Sequence, residues 1–211
     1  TNDSSEPYAK IYSHEDRGNF FLTEYFVDLL KSTNDPRLPL IGTVCEDPTI
    51  SVQAGSDFQY GNSDPAVQKG LPNGFSDSPD SPWFVGNKYP EFKDEDYRST
   101  YRSRYSTINR YTYSDPTGPT FVCTYAQTQL LLAEAAVRGW VDGSAQAYYE
   151  NGVRAAMRQF AQFPNGTALY NQYLTQAAID RYLTENPFNA SKALEPVSYT
   201  HLRAHETRSN L

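Results

Sequence analysis

The stretch Pro119–Phe160, reading PTFVCTYAQTQLLLAEAAVRGWVDGSAQAYYENGVRAAMRQF, constrains the fold more than any other part of this 211-residue chain. Thr124-Tyr125-Ala126-Gln127 fits a capping box, in which the Thr hydroxyl and the Gln side chain each satisfy an amide of the first helical turn. From there Ala126, Leu130, Ala133 and Val137 recur at steps of four, three and four, which places them on one helical face. Gly139 supplies a C-terminal stop, and Ser144 can cap a second helix. On that helix Ala145, Tyr149, Gly152, Ala156 and Phe160 share a face. Small residues on both faces allow the two axes to approach closely. The spacing predicts a helical hairpin over about 120–161.

Such a hairpin is the repeating unit of tetratricopeptide-like solenoids. It carries no chemistry of its own, so function has to lie in what the helices hold up. The same stretch carries a family resemblance. The run Thr124-Tyr125-Ala126, Leu131-Leu132-Ala133-Glu134-Ala135-Ala136 and Gly139 continues into Ala145, Tyr148-Tyr149 and Gly152-Val153-Arg154-Ala155-Ala156-Met157. Upstream lies a second block, Phe26-Val27-Asp28-Leu29-Leu30 followed by Asn34-Asp35-Pro36-Arg37-Leu38. In this order the two blocks resemble the SusD/RagB family, more closely its nutrient-binding lipoprotein branch. The resemblance implies a surface-exposed outer-membrane lipoprotein that captures glycans or related nutrients for a TonB-dependent transporter. It also implies a longer parent protein, of which this is an internal fragment whose signal peptide and anchor cysteine lie upstream of Thr1. The alternative is a helical-repeat scaffold that makes only protein–protein contacts, and a carbohydrate-active enzyme ranks behind both.

The C-terminal segment reads differently. Val197–Thr207 resembles a translated sequencing adapter, so Val197–Leu211 is set aside and 1–196 is expected to form part of one SusD-like domain. This removes His201 and His205, whose spacing of four would otherwise suggest helix-borne metal ligands. No metal site is expected.

The net charge of −7 speaks against nucleic acid as a partner. No segment has the apolar length of a membrane span. Cys45 and Cys123 form no CxxC motif; they could close a disulfide in an exported protein or stand as buried thiols, and buried thiols are the preferred expectation. His14 sits among polar residues as a surface side chain. Nucleophile elbows, phosphate loops and dinucleotide fingerprints are missing from the sequence, so neither catalytic residues nor cofactors are expected. Glu134 is expected to hydrogen-bond across the helix pair.

The predicted architecture is mainly α: tetratricopeptide-like hairpins with a long aromatic-rich loop excursion. A first helix is predicted over about 19–31, capped by Asn19 or Thr23, with Leu22, Phe26, Leu29 and Leu30 inward. Pro36 ends it, because the residue before proline is pushed out of helical geometry. Asp35 starts a turn, Arg37 forms a partly buried ion pair, and Leu38 packs. Helical periodicity then disappears over about 42–119. Within that region Gly70-Leu71-Pro72-Asn73-Gly74 is a turn resembling the family's Gly-x-Pro-x-Gly, and Arg104–Tyr113 is predicted as a short strand. A final helix is predicted over about 168–184, with Tyr170, Leu174, Ala178 and Tyr182 in register.

Candidate ligand contacts lie in the aromatic loops. Sugar rings present apolar faces ringed by hydroxyls, and proteins meet them with aromatic faces and nearby amides. Trp83, Phe84, Tyr89 and Tyr60 are the candidates, with Trp83-Phe84 foremost because Pro82 and Gly86 flank them. Against this stands plain packing. The chain has 17 tyrosines spread through helices and loops alike, and many of them must serve the core.

Overall fold

The computed structural model describes residues 21–44, 61–76, 78, 80–92, 104–115 and 117–189. The chain divides into two compact units, Thr1–Gly118 and Pro119–Leu211, which are taken in turn.

In the first unit, helix α1 (Glu24–Ser32) starts at Thr23, whose hydroxyl accepts the Phe26 N–H at 3.3 Å. Of the two caps predicted, Thr23 is the one used, so the residues before it form an extended lead-in; Asn19 lies outside the described residues. That lead-in is extended because its backbone is already committed. The Leu22 N–H donates to the Ser106 carbonyl, and the Leu22 carbonyl accepts from Leu71 N–H, both at 2.8 Å. Phe26, Val27 and Leu30 are buried, Leu29 is half-buried, and Leu22 is buried from the lead-in. The helix ends in a Schellman motif. Asn34 takes φ 49°, its N–H meets Lys31 O, and Asp35 N–H reaches back to Leu30 O at 2.8 Å. Pro36 then blocks continuation. Arg37 grips Asp35 in two-pronged fashion, Nε to Oδ1 at 3.0 Å and Nη2 to Oδ2 at 2.6 Å. The pair is fully buried, at 2% and 4% exposure, rather than partly so as predicted.

A short helix α2 (Leu38–Ile41) leads into β1 (Gly42–Thr43), which pairs antiparallel with β2 (Thr107–Ile108) in the register Gly42 to Ile108. The predicted strand over Arg104–Tyr113 shrinks to these two residues. Beyond them Asn109 folds the chain into a turn, its side-chain oxygen accepting the Tyr111 N–H at 2.8 Å. Among its described residues, the region that lacks periodicity holds only short pieces: the four-residue helix Val85–Lys88, a 3-10 turn over Pro90–Phe92 and the two-residue pairing of β1 with β2. It is held by single bridges (Phe21 to Thr107, Thr23 to Leu71, Val44 to Asn62, Ser76 to Phe84) and by buried amide side chains. Asn109 Nδ2 donates to Pro39 O and Ser63 Oγ, both at 2.9 Å. Gln68 Nε2 donates to Gly42 O at 2.8 Å. Buried backbone needs partners, and these side chains supply them where no ladder runs.

The second unit begins with the predicted hairpin, α4 (Tyr125–Val137) and α5 (Ala145–Arg158), after α3 (Val85–Lys88) in the first unit. Thr124 Oγ1 accepts Gln127 N–H at 3.1 Å, and Ser144 Oγ accepts Ala147 N–H at 3.2 Å. The capping box is only half made, because Gln127 Oε1 is buried and finds no donor among the described residues. Gly139 at φ 71° closes a Schellman motif, with Trp140 N–H bonded to Ala135 O at 2.9 Å. Ala126, Leu130, Ala133, Tyr149, Gly152, Ala156 and Phe160 are buried as predicted. Val137 is 37% exposed and Ala145 only half-covered, so the packing fades toward the connection. Glu134 bonds along its own helix to Arg138 Nε at 3.0 Å, not across the pair. Cys123 is a free, exposed thiol, which corrects the buried reading; Cys45 lies outside the described residues.

The predicted helix over 168–184 is two helices, α6 (Thr167–Tyr173) and α7 (Gln176–Glu185). The break turns Leu174 into the core at 3% exposure, and Thr175 Oγ1 recaps the chain by accepting Ala178 N–H at 3.2 Å. Apolar periodicity ran through this point because Leu174 is buried either way. Ile179, Tyr182 and Leu183 complete the buried face of α7. The fold is mainly α, with tetratricopeptide-like hairpin character in the second unit.

Candidate functional site

The loop that leads to α3 is fixed at both ends. Gly70 lies against the start of α1, where a side-chain carbon would stand 2.3 Å from Thr23 O and 2.4 Å from Glu24 Cα. Only glycine can occupy that position. Pro72-Asn73-Gly74 then turns the chain, with Gly74 at φ 80°. After Phe75, Ser76 forms a parallel bridge with Phe84: Ser76 N–H donates to Trp83 O at 2.7 Å, and Val85 N–H to Ser76 O at 2.8 Å.

Trp83 is 67% exposed, yet its backbone is held on both sides, since its N–H donates to Ser81 Oγ at 3.1 Å. Side chains alternate across a bridge. Phe84 accordingly turns the opposite way and is 4% exposed, clustered with Val85 and Tyr105, against which Phe21, Leu71 and Tyr89 pack. Phe84 belongs to the core and presents no stacking face.

Tyr89 is half-buried, with its ring 5.9 Å from that of Tyr105 and Lys69 Nζ 4.3 Å from its centroid. Its hydroxyl donates to Glu24, which also pairs with Lys88. Burial raises the Glu24 carboxyl, but the hydrogen bonds from Lys88 and Tyr89 outweigh it and hold the group below its ordinary range. Burial first, and then Glu24, push the Tyr89 phenol well above its usual value. Tyr89 is thus a clamp between α1 and α3. Tyr60 lies outside the described residues.

The structure therefore separates the candidates. Trp83 is presented, while Phe84 and Tyr89 support the loop. Phe75, which falls on the Trp83 side of the bridge, is the residue that sequence reasoning left out of the leading set. It is 38% exposed, with Lys88 Nζ 5.7 Å from its ring centroid. Asn73 and Asn87 of the same stretch of chain are also exposed. Its one sequence signal was its position just after the Gly74 turn.

Among the described residues no group of three or more His, Cys, Asp or Glu side chains could hold a metal ion. No described helix is long and apolar enough to cross a membrane. A helical scaffold that presents an exposed aromatic loop has the build of a binding protein.

The comparisons with known proteins agree with that class. The SusD-like family described as starch-binding and associating with the outer membrane matches residues 1–196. The chain belongs to this family, within SusD/RagB. Among solved structures it is similar to a chitin-binding protein at 26% identity and TM-score 0.58, covering 87% of this chain and 33% of that one. It is also similar to a Bacteroides vulgatus outer membrane protein described as involved in nutrient binding, at 22% identity and TM-score 0.66, covering 98% and 40%. A SusD-like protein from Bacteroidetes gives 22% identity and TM-score 0.69, covering 97% and 44%. The chain thus spans between a third and under half the length of these structures. No curated protein is significantly similar to it.

Proposed function

We propose that this chain is part of a surface lipoprotein of the outer membrane that captures a glycan or related nutrient and passes it to a TonB-dependent transporter. The observation that carries the reading is the family match combined with Trp83, an exposed indole on a backbone hydrogen-bonded at both its N–H and its carbonyl. A sugar stacks its apolar face on such a ring and bonds its hydroxyls to nearby amides, for which the exposed Asn73 and Asn87 of the same stretch of chain are the candidates. Preorganisation matters because a backbone already held in place loses little freedom on binding. Starch and chitin fragments are the first ligands to try, given the family description and the chitin-binding neighbour.

Tryptophan fluorescence titrated with malto- and chito-oligosaccharides tests the capture step. Saturable quenching that disappears in Trp83→Ala supports it, and silence of both proteins toward every oligosaccharide sinks it. Co-purification of a large barrel protein with the parent lipoprotein from native membranes tests the transfer step.

A further inference from the structure

The sequence holds three Asn-Gly pairs, Asn73-Gly74, Asn151-Gly152 and Asn165-Gly166. Such a pair is chemically unstable wherever the chain around it can move. The backbone nitrogen of the glycine attacks the asparagine Cγ, and the missing Cβ leaves that approach open. The reaction needs a glycine N–H outside any hydrogen bond and room for the backbone to rotate. The three pairs differ in both respects. Asn151 and Gly152 stand in the middle of α5, where each N–H is held by the carbonyl four residues before it. Gly152 is also pressed against Leu130. Gly166 is buried, and its N–H donates to Phe163 O at 3.1 Å. Asn73 and Gly74 are both exposed, and the Gly74 N–H makes no hydrogen bond among the described residues. A side-chain carbon at Gly74 would meet nothing within 4 Å, so the turn has open space around it.

We propose that Asn73-Gly74 is a site of spontaneous deamidation in the folded protein, and that its isoaspartate product loosens the loop carrying Trp83. The deprotonated Gly74 nitrogen adds to Asn73 Cγ and forms a C–N bond. The Cγ–Nδ2 bond then breaks, the amide leaves as ammonia with the proton, and a succinimide ring closes. Water opens that ring at either carbonyl, giving aspartate or isoaspartate. One water is consumed and one ammonia released, with no oxidant or reductant. Both products place a new carboxylate on the loop. Isoaspartate also routes the main chain through the side chain, one methylene longer. The extra carbon enters between two fixed points: Gly70, set against Thr23 and Glu24, and Ser76, bridged to Phe84. The slack falls on that bridge, whose hydrogen bonds hold Trp83 and Val85. The chemistry is independent of what Trp83 binds.

The protein is held at mildly alkaline pH, and peptides from timed samples are followed by mass spectrometry. Asn73 should convert to the acid at least about tenfold faster than Asn151 or Asn165, because those two react only after local opening and every ~1.4 kcal/mol of opening is a factor of ten. In urea the three should convert at similar rates, which identifies the fold as the discriminator. Equal rates in the folded protein, or an Asn73 that stays intact while the unfolded chain reacts, would overturn the proposal. Hydrogen exchange at Ser76 and Val85 reads the second step. The isoaspartate fraction should exchange faster there than Asn73→Asp, which carries the charge without the longer chain. Equal exchange in the two would overturn the loosening.

Discussion

Gly152 of α5 receives the Leu130 side chain of α4 where its own Cβ would otherwise sit. A Cβ built on Gly152 stands 2.7 Å from Leu130 Cγ and 2.8 Å from Cδ2, and Leu130 is completely buried. The hairpin therefore closes at a distance that only glycine permits at this position. In Gly152→Ala the gain in helix propensity, about 0.5–1 kcal/mol, opposes an overpacking cost of ~1–3 kcal/mol. The leucine has nowhere to go, so overpacking wins. We expect net destabilisation in urea unfolding, and expect the same substitution to become neutral or stabilising in a Leu130→Ala background, where the space exists.

Gly70 makes a harder contact. Its missing side chain faces the Thr23 carbonyl and Glu24 Cα, backbone atoms that cannot rotate away. Gly70→Ala should pull the loop off the start of α1 and destabilise the first unit more than Gly152→Ala destabilises the second. Hydrogen exchange reads this directly at Glu24, whose N–H donates to Leu71 O at 2.9 Å, and at Leu71, whose N–H donates to Leu22 O at 2.8 Å. Unchanged protection there would contradict the prediction.

Asp35 and Arg37 are buried together. Removing one charge takes from the other its bidentate partner in the interior, at a cost of ~3–5 kcal/mol. Asp35→Ala should unfold the first unit or lower its stability by that order. Replacing both residues with apolar side chains should recover part of the loss. Recovery is incomplete because Asp35 Oδ1 also accepts the Arg37 N–H at 3.0 Å. Denaturation of the two single variants and the double variant forms the cycle.

Glu24 gives an acid-side dependence. Its folded pKa is held below the ordinary carboxylate value, so its contribution is present above that value and is lost as pH falls through the folded pKa. Stability should therefore fall below about pH 4.5, the region where free carboxyls titrate. Glu24→Gln should be less stable at neutral pH and show a shallower acid slope. An identical slope in both proteins would remove Glu24 from the account.

Trp83 and Phe84 are adjacent in sequence but opposite in fate. Trp83→Ala removes an exposed ring and should change stability by no more than about 0.5 kcal/mol, as for most surface substitutions. Phe84→Ala empties the core and should cost ~3–5 kcal/mol. If the loop surface binds sugar, affinity should fall at least tenfold in Trp83→Ala while its melting curve stays put. Thermal melts and oligosaccharide titration of the same preparations separate the two roles.

The legible parts of the fold are those written in local code. The cap hydroxyls of Thr23, Thr124 and Ser144, the stop at Gly139 and the break at Pro36 all act over a few residues, and the sequence shows each of them. The hairpin face from Ala126 to Ala133 and from Tyr149 to Ala156 follows from periodicity alone. The reciprocal half of the capping box is not made, because Gln127 Oε1 is buried without a donor among the described residues, which local spacing does not encode.

What the sequence by itself determined is therefore the helical scaffold, its hairpin and an inventory of aromatic loop residues. The tertiary structure decided which of those residues are presented. Trp83 points outward and Phe84 inward because Ser76, eight positions earlier, bridges the loop in one register, and a bridge between distant residues leaves no periodic trace. Tyr89 is withdrawn into a clamp because Glu24 and Lys69 converge on it from remote parts of the chain. Secondary structure is a short-range property and burial a long-range one, so the scaffold can be read along the chain while the surface it presents cannot.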